Sequence, residues 1–300
     1  MNEWRERLAA KRVLVADGAW GTELTKRGLA AGQAPEAWNL DRPEEVQAVA
    51  RSYVDAGADI ILTNTFGGSA FKLKKFGLRD SVAEINRRGV ELSKEAAAAR
   101  ALVFASIGPS GEFMEPLGTI TEPEMVACFA EQVRAIAAAA PDGIVIETMS
   151  DLAEAKAALR AVRENSDLPA VVSMTFERGA RAIATMMGVT PQQAVGELEA
   201  AGADLVGANC GAGIETIVEV ARRMRPATKL PLWFKPNAGI PELVDGKTVF
   251  RETPGEMGAY LPELIAAGAS VIGGCCGTTP EHIRLFVTEI PKLLAQQGDR

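Results

Sequence analysis

The chain has 300 residues, of which 47% are hydrophobic, 24% charged and 5% aromatic. This composition is typical of a protein with a large apolar core, and it excludes disordered, collagen-like and coiled-coil proteins. The formal net charge of −7 argues against binding to a phosphate backbone or to an anionic membrane surface. We therefore expect no nucleic acid and no membrane among the partners.

The amino-terminal segment meets charged residues before any long apolar run, so it does not resemble a secretory signal. No apolar stretch of the sequence approaches the roughly 20 residues that a membrane span requires. We therefore expect a cytoplasmic protein. In that compartment the four cysteines are expected to be free thiols or metal ligands, because disulfides are rare there.

Eight short apolar runs follow one another along the chain, and small or polar residues follow each run. Three of the runs come after the same glycine-containing turn, AGAD at 56–59 and 201–204 and AGAS at 267–270, which is typical of a helix end. In chain order the runs are VLVADG (13–18), IILTNTFG (60–67), LVFASIGP (102–109), IVIETM (144–149), AVVSMTF (170–176), LVGANCG (205–211), PLWFKPNAG (231–239) and VIGGCCG (271–277).

Alanine-rich and charged segments with helical spacing separate the runs, as at 44–53, 81–98, 125–139 and 152–163. Apolar strands that alternate with helices are typical of a parallel sheet covered on both faces. Eight such units predict a single-domain (β/α)8 TIM barrel over residues 1–300. A doubly wound open sheet is the alternative, although the segment after the first run lacks the usual G-x-G-x-x-G spacing.

The active site of such a barrel lies at the carboxyl ends of the strands, so residues that follow the apolar runs are the candidates. Three of the four cysteines, Cys210, Cys275 and Cys276, occupy such positions. Because the sixth and eighth strands flank the seventh, these thiols are expected to converge. Cys128 falls inside a predicted helix and is expected to fill the core. Other candidates at the strand ends are Asp17, Thr63, Asn64, Thr65, Gly108, Glu147, Thr175 and Asn237.

Three converging thiolates are a ligand set for Zn²⁺, which favours sulfur and keeps a fourth position open in catalytic sites. The alternative is that the adjacent cysteines are buried apolar residues or form a reversible disulfide. A Zn²⁺ ion with three thiolate ligands has a formal charge of −1, so the bound ion is a weak Lewis acid towards water. Such an ion can instead bind an incoming thiol and keep it deprotonated and nucleophilic. The predicted reaction is therefore alkyl transfer to a thiol.

Seven segments carry motifs of one family: DGAWGTEL (17–24), GADIILTNTFGGS (57–69), IGPSGE (107–112), IVIETMSD (144–151), GANCG (207–211), KPNAGIP (235–241) and GGCCGTTPEHI (273–283). Together they resemble the homocysteine S-methyltransferase family over almost the whole chain. That family includes the homocysteine-binding module of cobalamin-dependent methionine synthase, betaine–homocysteine methyltransferase and S-methylmethionine-dependent enzymes. The resemblance implies a zinc-containing (β/α)8 barrel that activates homocysteine to form methionine.

Carried over to this chain, the resemblance makes Cys210, Cys275 and Cys276 the zinc ligands. At the ends of the first and fourth strands, Asp17 and Glu147 are expected to receive the ammonium group of homocysteine. The alternatives are a turn-forming role for Asp17 before glycine, and a salt bridge or helix cap for Glu147.

The amide of Gly18 and the hydroxyl of Thr65 are expected to hold the carboxylate of the substrate. Asn237 ends the seventh strand and is expected either to offer an oxygen to zinc when substrate is absent or to shape the Pro-Asn-Ala-Gly loop. His282, at a predicted helix start, is expected to have a structural role.

The methyl donor is predicted to be methylcobalamin, supplied in trans by a corrinoid protein or a cobalamin-binding domain, because 300 residues with one histidine leave no internal cobalamin module. The GPSGEFMEPLG and TNTFGGS segments resemble the methionine synthase module more than the betaine enzyme. Betaine and S-methylmethionine are alternative donors, and an aromatic box for them would use Trp20, Trp38 and Trp233.

Two rival functions stay open at this point. One is a methyltransferase component of a corrinoid system that acts on another substrate, which an exposed apolar rim around the barrel mouth would favour. The other is a lyase or aldolase with Lys235 as a Schiff-base amine, which leaves the three cysteines without a role.

Overall fold

In the computed structural model, which describes residues 3–179, 182–244 and 247–298, eight parallel strands form one sheet inside a layer of helices. The strands are β1 (Leu14–Val15), β2 (Ile60–Leu62), β3 (Leu102–Ile107), β4 (Gly143–Met149), β5 (Ala170–Met174), β6 (Leu205–Cys210), β7 (Leu232–Pro236) and β8 (Ala269–Ile272). They pair in the order β1-β8-β7-β6-β5-β4-β3-β2.

The first and last strands of this order also meet, so the sheet closes into a barrel. Ala16 forms a parallel bridge with Ile60. The backbone N–H of Asp59 donates to the carbonyl of Val15 at 2.7 Å, and that of Asp17 donates to the carbonyl of Ile60 at 2.9 Å. The predicted (β/α)8 barrel is therefore confirmed, and the open-sheet alternative is wrong. Because all strands are parallel, their carboxyl ends lie on one face.

Helices follow the strands and cover the outside of the barrel. The four segments with predicted helical spacing correspond to four of the longest helices, which span Pro43–Asp55, Val82–Ala97, Glu122–Ala138 and Leu152–Asn165. No helix in the described part of the chain has the length and apolarity needed to cross a membrane. The helices are α1 (Glu3–Lys11), α2 (Gly21–Lys26), α3 (Trp38–Asp41), α4 (Pro43–Asp55), α5 (Ala70–Lys74), α6 (Val82–Ala97), α7 (Glu122–Ala138), α8 (Leu152–Asn165), α9 (Pro191–Ala200), α10 (Ile214–Met224), α11 (Pro254–Gly258), α12 (Leu261–Ala266) and α13 (Pro280–Gly298).

Alternate strand residues point into the barrel and towards the helices, as the two-residue period of a strand requires. On β3, Phe104 belongs to the interior cluster, whereas Val103 packs in the layer between sheet and helices. The rings of Phe104 and Trp233 stack inside the barrel with their centroids 6.2 Å apart. Trp4 of α1 joins the same interior cluster and fills the amino-terminal end of the barrel.

Towards the carboxyl ends, the interior side chains change from apolar to polar. This buried polar layer forms the floor of the site, because it lies directly beneath the loops that leave the strands. Its members come from five neighbouring strands and are Ser106, Glu147, Ser173, Asn209 and Lys235.

Candidate active site

Three cysteine sulfurs meet at the carboxyl ends of β6 and β8. Cys210 is the last residue of β6, and Cys275 and Cys276 follow the end of β8. Their Sγ atoms all lie within 4.8 Å of one another. β7 lies between β6 and β8 and fixes the loop that carries two of the cysteines, since the N–H of Cys275 donates to the carbonyl of Pro236 on β7 at 2.7 Å.

The sulfurs of the cluster hydrogen-bond to one another. Thiol donation from Cys275 and Cys276 lowers the pKa of Cys210 to about 3, although burial opposes the shift. The contact with Cys210 raises the pKa of Cys276 to about 12 and that of Cys275 well above its ordinary value. Three sulfurs bound to Zn²⁺ at about 2.3 Å lie about 3.8 Å apart, which is compatible with the observed spacing.

Asn237, which follows β7, has a buried side-chain oxygen without a partner among the described residues. Its Nδ2 donates to the carbonyl of Gly211 at 2.9 Å, whereas its buried Oδ1 has no partner in the described structure. A buried oxygen without a partner costs free energy, so this atom fits a ligand position beside the sulfurs. Three sulfurs and one amide oxygen are a donor set that suits Zn²⁺.

A cavity of about 230 Å³ opens beside the cysteines. Gly18 and Glu147 line it together with Cys210, Cys275 and Cys276, so the structure brings five of the eight predicted site residues to one wall. The remaining lining residues are Ala19, Trp20, Gly21, Pro35, Glu36, Leu62, Thr63, Asn64, Phe66, Ser106, Thr148, Lys235 and Gly274.

Asp17 lies below this cavity and pairs with Lys235. Its Oδ1 is 2.5 Å from the Lys235 Nζ, and its Oδ2 accepts from the Leu62 N–H at 2.7 Å and the Trp20 Nε1–H at 2.8 Å. Burial by itself lowers the pKa of Lys235, but the Asp17 and Glu147 carboxylates raise it overall. A protonated amine is no nucleophile, so this environment argues against Lys235 as a Schiff-base residue.

Glu147 presents a carboxylate at the cavity wall. Its Oε1 accepts from the Ser106 hydroxyl at 2.5 Å. Burial raises the pKa of Glu147, and the charge of Lys235 and the hydrogen bond from Ser106 partly offset that rise. No helix cap or rim salt bridge involves this side chain, as far as the described residues show.

Gly18 and Thr65, which were predicted to bind the substrate carboxylate, differ in their position relative to the cavity. Gly18 lines the cavity, and a side chain at this position would come within 2.9 Å of Tyr53 and Thr278. Thr65 is fully buried, donates its hydroxyl to the carbonyl of Ser106 at 2.7 Å, and is not among the lining residues. Thr63, whose hydroxyl lies 2.6 Å from that of Thr65, takes the place at the wall.

The tryptophans named for an aromatic box do not come together. Trp20 lines the cavity, but Trp38 is buried beneath the Arg42 guanidinium, 4.7 Å from its ring centroid, and Trp233 lies inside the barrel. His282 has the structural role expected of it, because Nδ1 contacts Thr279 and Nε2 contacts the carbonyl of Glu252.

A network of buried amides was not anticipated from the sequence. The segment 63–69 after β2 is held from outside by Asn39, whose Nδ2 donates to the carbonyl of Asn64 at 2.8 Å. Asn86 of α6 donates to the carbonyl of Gly68, and Gln132 of α7 to that of Thr65, each at 2.8 Å. The only sequence signal was an amide residue inside an otherwise apolar helix face, which does not identify its partner.

A family model described as homocysteine S-methyltransferase matches residues 14–290. Methionine synthases of Mycobacterium leprae and Mycobacterium tuberculosis are 31% and 30% identical to 92% of this chain, which spans 24% of the length of each. The structure of the metallated homocysteine methyltransferase MmuM from Escherichia coli matches 96% of this chain and 100% of its own, with a TM-score of 0.82 and 25% identity. The chain therefore belongs to the homocysteine S-methyltransferase family, as its motifs predict.

Proposed function

We propose that this chain transfers a methyl group to the thiol of homocysteine and so forms methionine, with Zn²⁺ held by Cys210, Cys275 and Cys276. The observation that carries the proposal is the meeting of three sulfurs within 4.8 Å at the wall of a cavity that Glu147 also lines. Family membership supports homocysteine as the acceptor. In this proposal residues 1–300 act as one homocysteine-binding barrel domain.

Negative and polar groups on the cavity wall would hold the amino-acid end of the acceptor. Glu147 receives the ammonium group, and Asp17 contributes its charge from beneath, where its oxygens already have protein partners. The Gly18 amide and the Thr63 hydroxyl form the side that takes the carboxylate, and Thr65 supports Thr63 from beneath through the contact between their hydroxyls. This orientation leaves the acceptor thiol pointing towards the cysteines.

The transfer itself is a displacement at the methyl carbon. Zinc held by the three cysteines would supply the positive charge that keeps the acceptor thiol deprotonated near neutral pH. The acceptor sulfur forms the new S–C bond with its lone pair. The bond from the methyl carbon to the donor breaks, and its electron pair stays on the donor, so no oxidant or reductant is required.

Methylcobalamin, presented by a separate corrinoid protein or a cobalamin-binding domain, is the donor that we propose. A small onium donor would need an aromatic cage, and of the three candidate tryptophans only Trp20 lines the cavity. The mycobacterial relatives named methionine synthase are about four times as long as this chain, which leaves most of their length for other modules.

The metal site is tested by elemental analysis of single cysteine variants. Wild-type protein is expected to bind one zinc per chain, and Cys210→Ala, Cys275→Ala and Cys276→Ala are each expected to lose most of it. Cys128→Ala is the matched control, because this thiol is buried in α7 away from the cluster. Full zinc retention in all three site variants would contradict the proposed ligand set.

The acceptor and donor are tested with the zinc-loaded protein. Homocysteine binding, followed by calorimetry in buffers of different ionisation enthalpy, is expected to release one proton and to require zinc. A donor screen then compares methylcobalamin, betaine, S-methylmethionine and S-adenosylmethionine. Efficient turnover with betaine or S-methylmethionine alone would overturn the donor assignment and leave the zinc and homocysteine assignments standing. Failure of homocysteine as acceptor with every donor would favour a corrinoid-system component that acts on another substrate.

A further inference from the structure

Asn209 contacts two separate parts of the site. It precedes Cys210 on β6 and is fully buried. Its Oδ1 accepts from the Thr148 backbone N–H at 2.8 Å and from the Ser173 hydroxyl at 2.7 Å. Its Nδ2 donates to the Thr148 Oγ1 at 2.7 Å and to the Cys275 Sγ at 3.8 Å. One side chain thus links β4, β5 and β6 to the loop after β8.

The orientation of this amide follows from the chemistry of its partners. The backbone N–H of Thr148 can only donate, so it must face the oxygen of Asn209. The nitrogen of the amide therefore faces the sulfur of Cys275. Both lone pairs and both N–H groups of Asn209 are in use, which holds the side chain in one position.

The part of β4 that Asn209 holds is strained, at the point where its pairing with β5 is irregular. Thr148 has φ 62°, a left-handed conformation that a β-branched residue rarely adopts. Such strain persists only where surrounding contacts stabilise it. Asn209 contacts both the backbone N–H and the hydroxyl of Thr148, which lines the cavity directly after Glu147.

We infer that Asn209 is a positioning residue that couples the two halves of the site: it fixes the irregular backbone of β4 directly after Glu147 and donates an N–H to the sulfur of Cys275. The inference rests on the proposed function, because the sulfur contact matters to the reaction only if the cysteines hold a metal. An N–H donor withdraws electron density from a thiolate. Its removal makes the sulfur easier to oxidise and changes the electronic properties of the bound metal.

The test uses cobalt(II) in place of zinc, because thiolate-to-cobalt charge transfer absorbs light and reports directly on the sulfur ligands. Asn209→Asp keeps both acceptor contacts but has no N–H to give to Cys275. We expect its charge-transfer band to move to longer wavelength and the homocysteine dissociation constant to rise about tenfold or more. Ser173→Ala is the control, because it removes a contact of Asn209 but leaves the sulfur contact in place, so its band should not move.

An Asn209→Asp band at the wild-type wavelength, together with unchanged homocysteine affinity, would overturn the inference. Should the buried carboxylate prevent folding, Asn209→Ala removes the same N–H without adding a charge, and the same two outcomes apply. A wild-type protein with no charge-transfer band would instead contradict the proposed metal site, and the inference would fall with it.

Discussion

Asp17 and Lys235 form an ion pair inside the barrel, where the exposed fractions of their side chains are 0% and 2%. Removing two charges from water costs several kcal/mol per ion, and their attraction offsets this cost only while both are present. The pair also joins β1 to β7, and the second oxygen of Asp17 accepts from the backbone N–H of Leu62 on β2. Asp17 is therefore expected to contribute to the stability of the barrel as well as to substrate binding.

Asp17→Asn is predicted to lower the free energy of unfolding by about 3–5 kcal/mol, because it removes the hydrogen-bonded counter-charge of the buried Lys235 ammonium. Lys235→Met should lower the free energy of unfolding by a similar amount, because it leaves the Asp17 carboxylate buried without its ammonium partner. The double variant should recover much of the loss, since neither charge remains. Urea denaturation of the four proteins measures the coupling.

An exposed ion pair provides the control for this cycle. Arg222 and Glu263 form a salt bridge at 2.7 Å with side chains 53% and 49% exposed. Arg222→Met should change the free energy of unfolding by less than about 1 kcal/mol. Additive losses in the Asp17 and Lys235 double variant would show that the two buried residues are not coupled.

Glu147 is predicted to make homocysteine binding sensitive to acid. Burial raises the pKa of this carboxyl, and the groups that face it are Lys235, Asp17, Cys210 and the hydroxyl of Ser106. As the pH falls through the raised pKa, the carboxylate becomes neutral and its attraction for the substrate ammonium is lost. The dissociation constant should therefore rise on acidification, and titrations at several pH values measure it.

Two variants distinguish this effect from others. Glu147→Gln should bind weakly at every pH, and its dissociation constant should rise less steeply on acidification, because only the proton released by the acceptor thiol still contributes. Glu154→Gln should keep the change, because this second buried carboxyl of raised pKa bonds to Ser110 and does not line the cavity. Protonation of Glu147 itself stabilises the fold, since its folded-state pKa is above the unfolded one, so this titration does not unfold the protein. An identical acid-dependent change in Glu147→Gln would assign it to another group.

At the scale of elements, the apolar runs predicted all eight barrel strands. Each run becomes a strand because both of its faces are buried, one inside the barrel and one against helices, and such strands have a continuous apolar sequence. The two antiparallel hairpins after β5 and β7, Glu177–Arg178 with Ile183–Ala184 and Glu242–Val244 with Lys247–Val249, were not predicted. Each of these strands has only two or three residues and polar residues interrupt the apolar ones, so they lack the continuous apolar run that identifies a barrel strand.

The positions of the candidate site residues could be predicted, but their contacts could not. Strand order placed Cys210 beside Cys275 and Cys276, because carboxyl ends of parallel strands share a face. The direction of a side chain after the strand end depends on loop backbone, which is why Thr65 faces the Ser106 carbonyl and Thr63 faces the cavity. Similarly, no local pattern indicates that Lys235 pairs with Asp17, 218 positions away.

We predict that only glycine fits at position 207 of the GANCG motif, because β6 and β7 lie too close together there for a side chain. A Cβ atom at this position would lie 1.7 Å from the carbonyl oxygen of Trp233, a backbone atom that cannot move without breaking the ladder. Gly207→Ala should therefore destabilise the protein by about 3 kcal/mol or more. Thermal and urea unfolding of the variant measure the loss.

Gly196→Ala is the control, because here we expect the substitution by alanine to raise the stability. It lies within α9, and no atom is within 4 Å of a Cβ built there. Gly196→Ala should stabilise the protein by up to about 1 kcal/mol, because glycine is a poor helix former. A Gly207→Ala variant as stable as wild type would show that β6 and β7 can separate locally, and the close strand packing proposed for the motif would be wrong.

At the scale of the whole molecule, the exposed large apolar side chains of the described residues all lie between the carboxyl end of a strand and one of the helices that follow it. They are Leu40, Phe76, Phe113, Leu117, Met186, Ile240 and Leu243. Leu40 lies in the short helix α3, and none of the others lies in a helix. Exposed apolar side chains on the connections that surround a candidate active site are typical of a protein-binding surface.

This surface leads to the last prediction, which separates a donor presented by a protein from a free one. Phe113, Leu117 and Leu243 are 59%, 67% and 78% exposed, so replacing all three by serine should leave the core and the cysteine cluster intact. Burial of one such side chain at an interface contributes about 1.5 kcal/mol or more, which is roughly tenfold in affinity.

The triple variant should therefore show at least a tenfold higher KM for methylcobalamin bound to a cobalamin-binding module. Its kinetics with free methylcobalamin should match wild type, because a free donor needs only the cavity and the acceptor thiol. Equal losses with both donors would show that the substitutions damage the active site, and no loss with either would place the docking surface elsewhere.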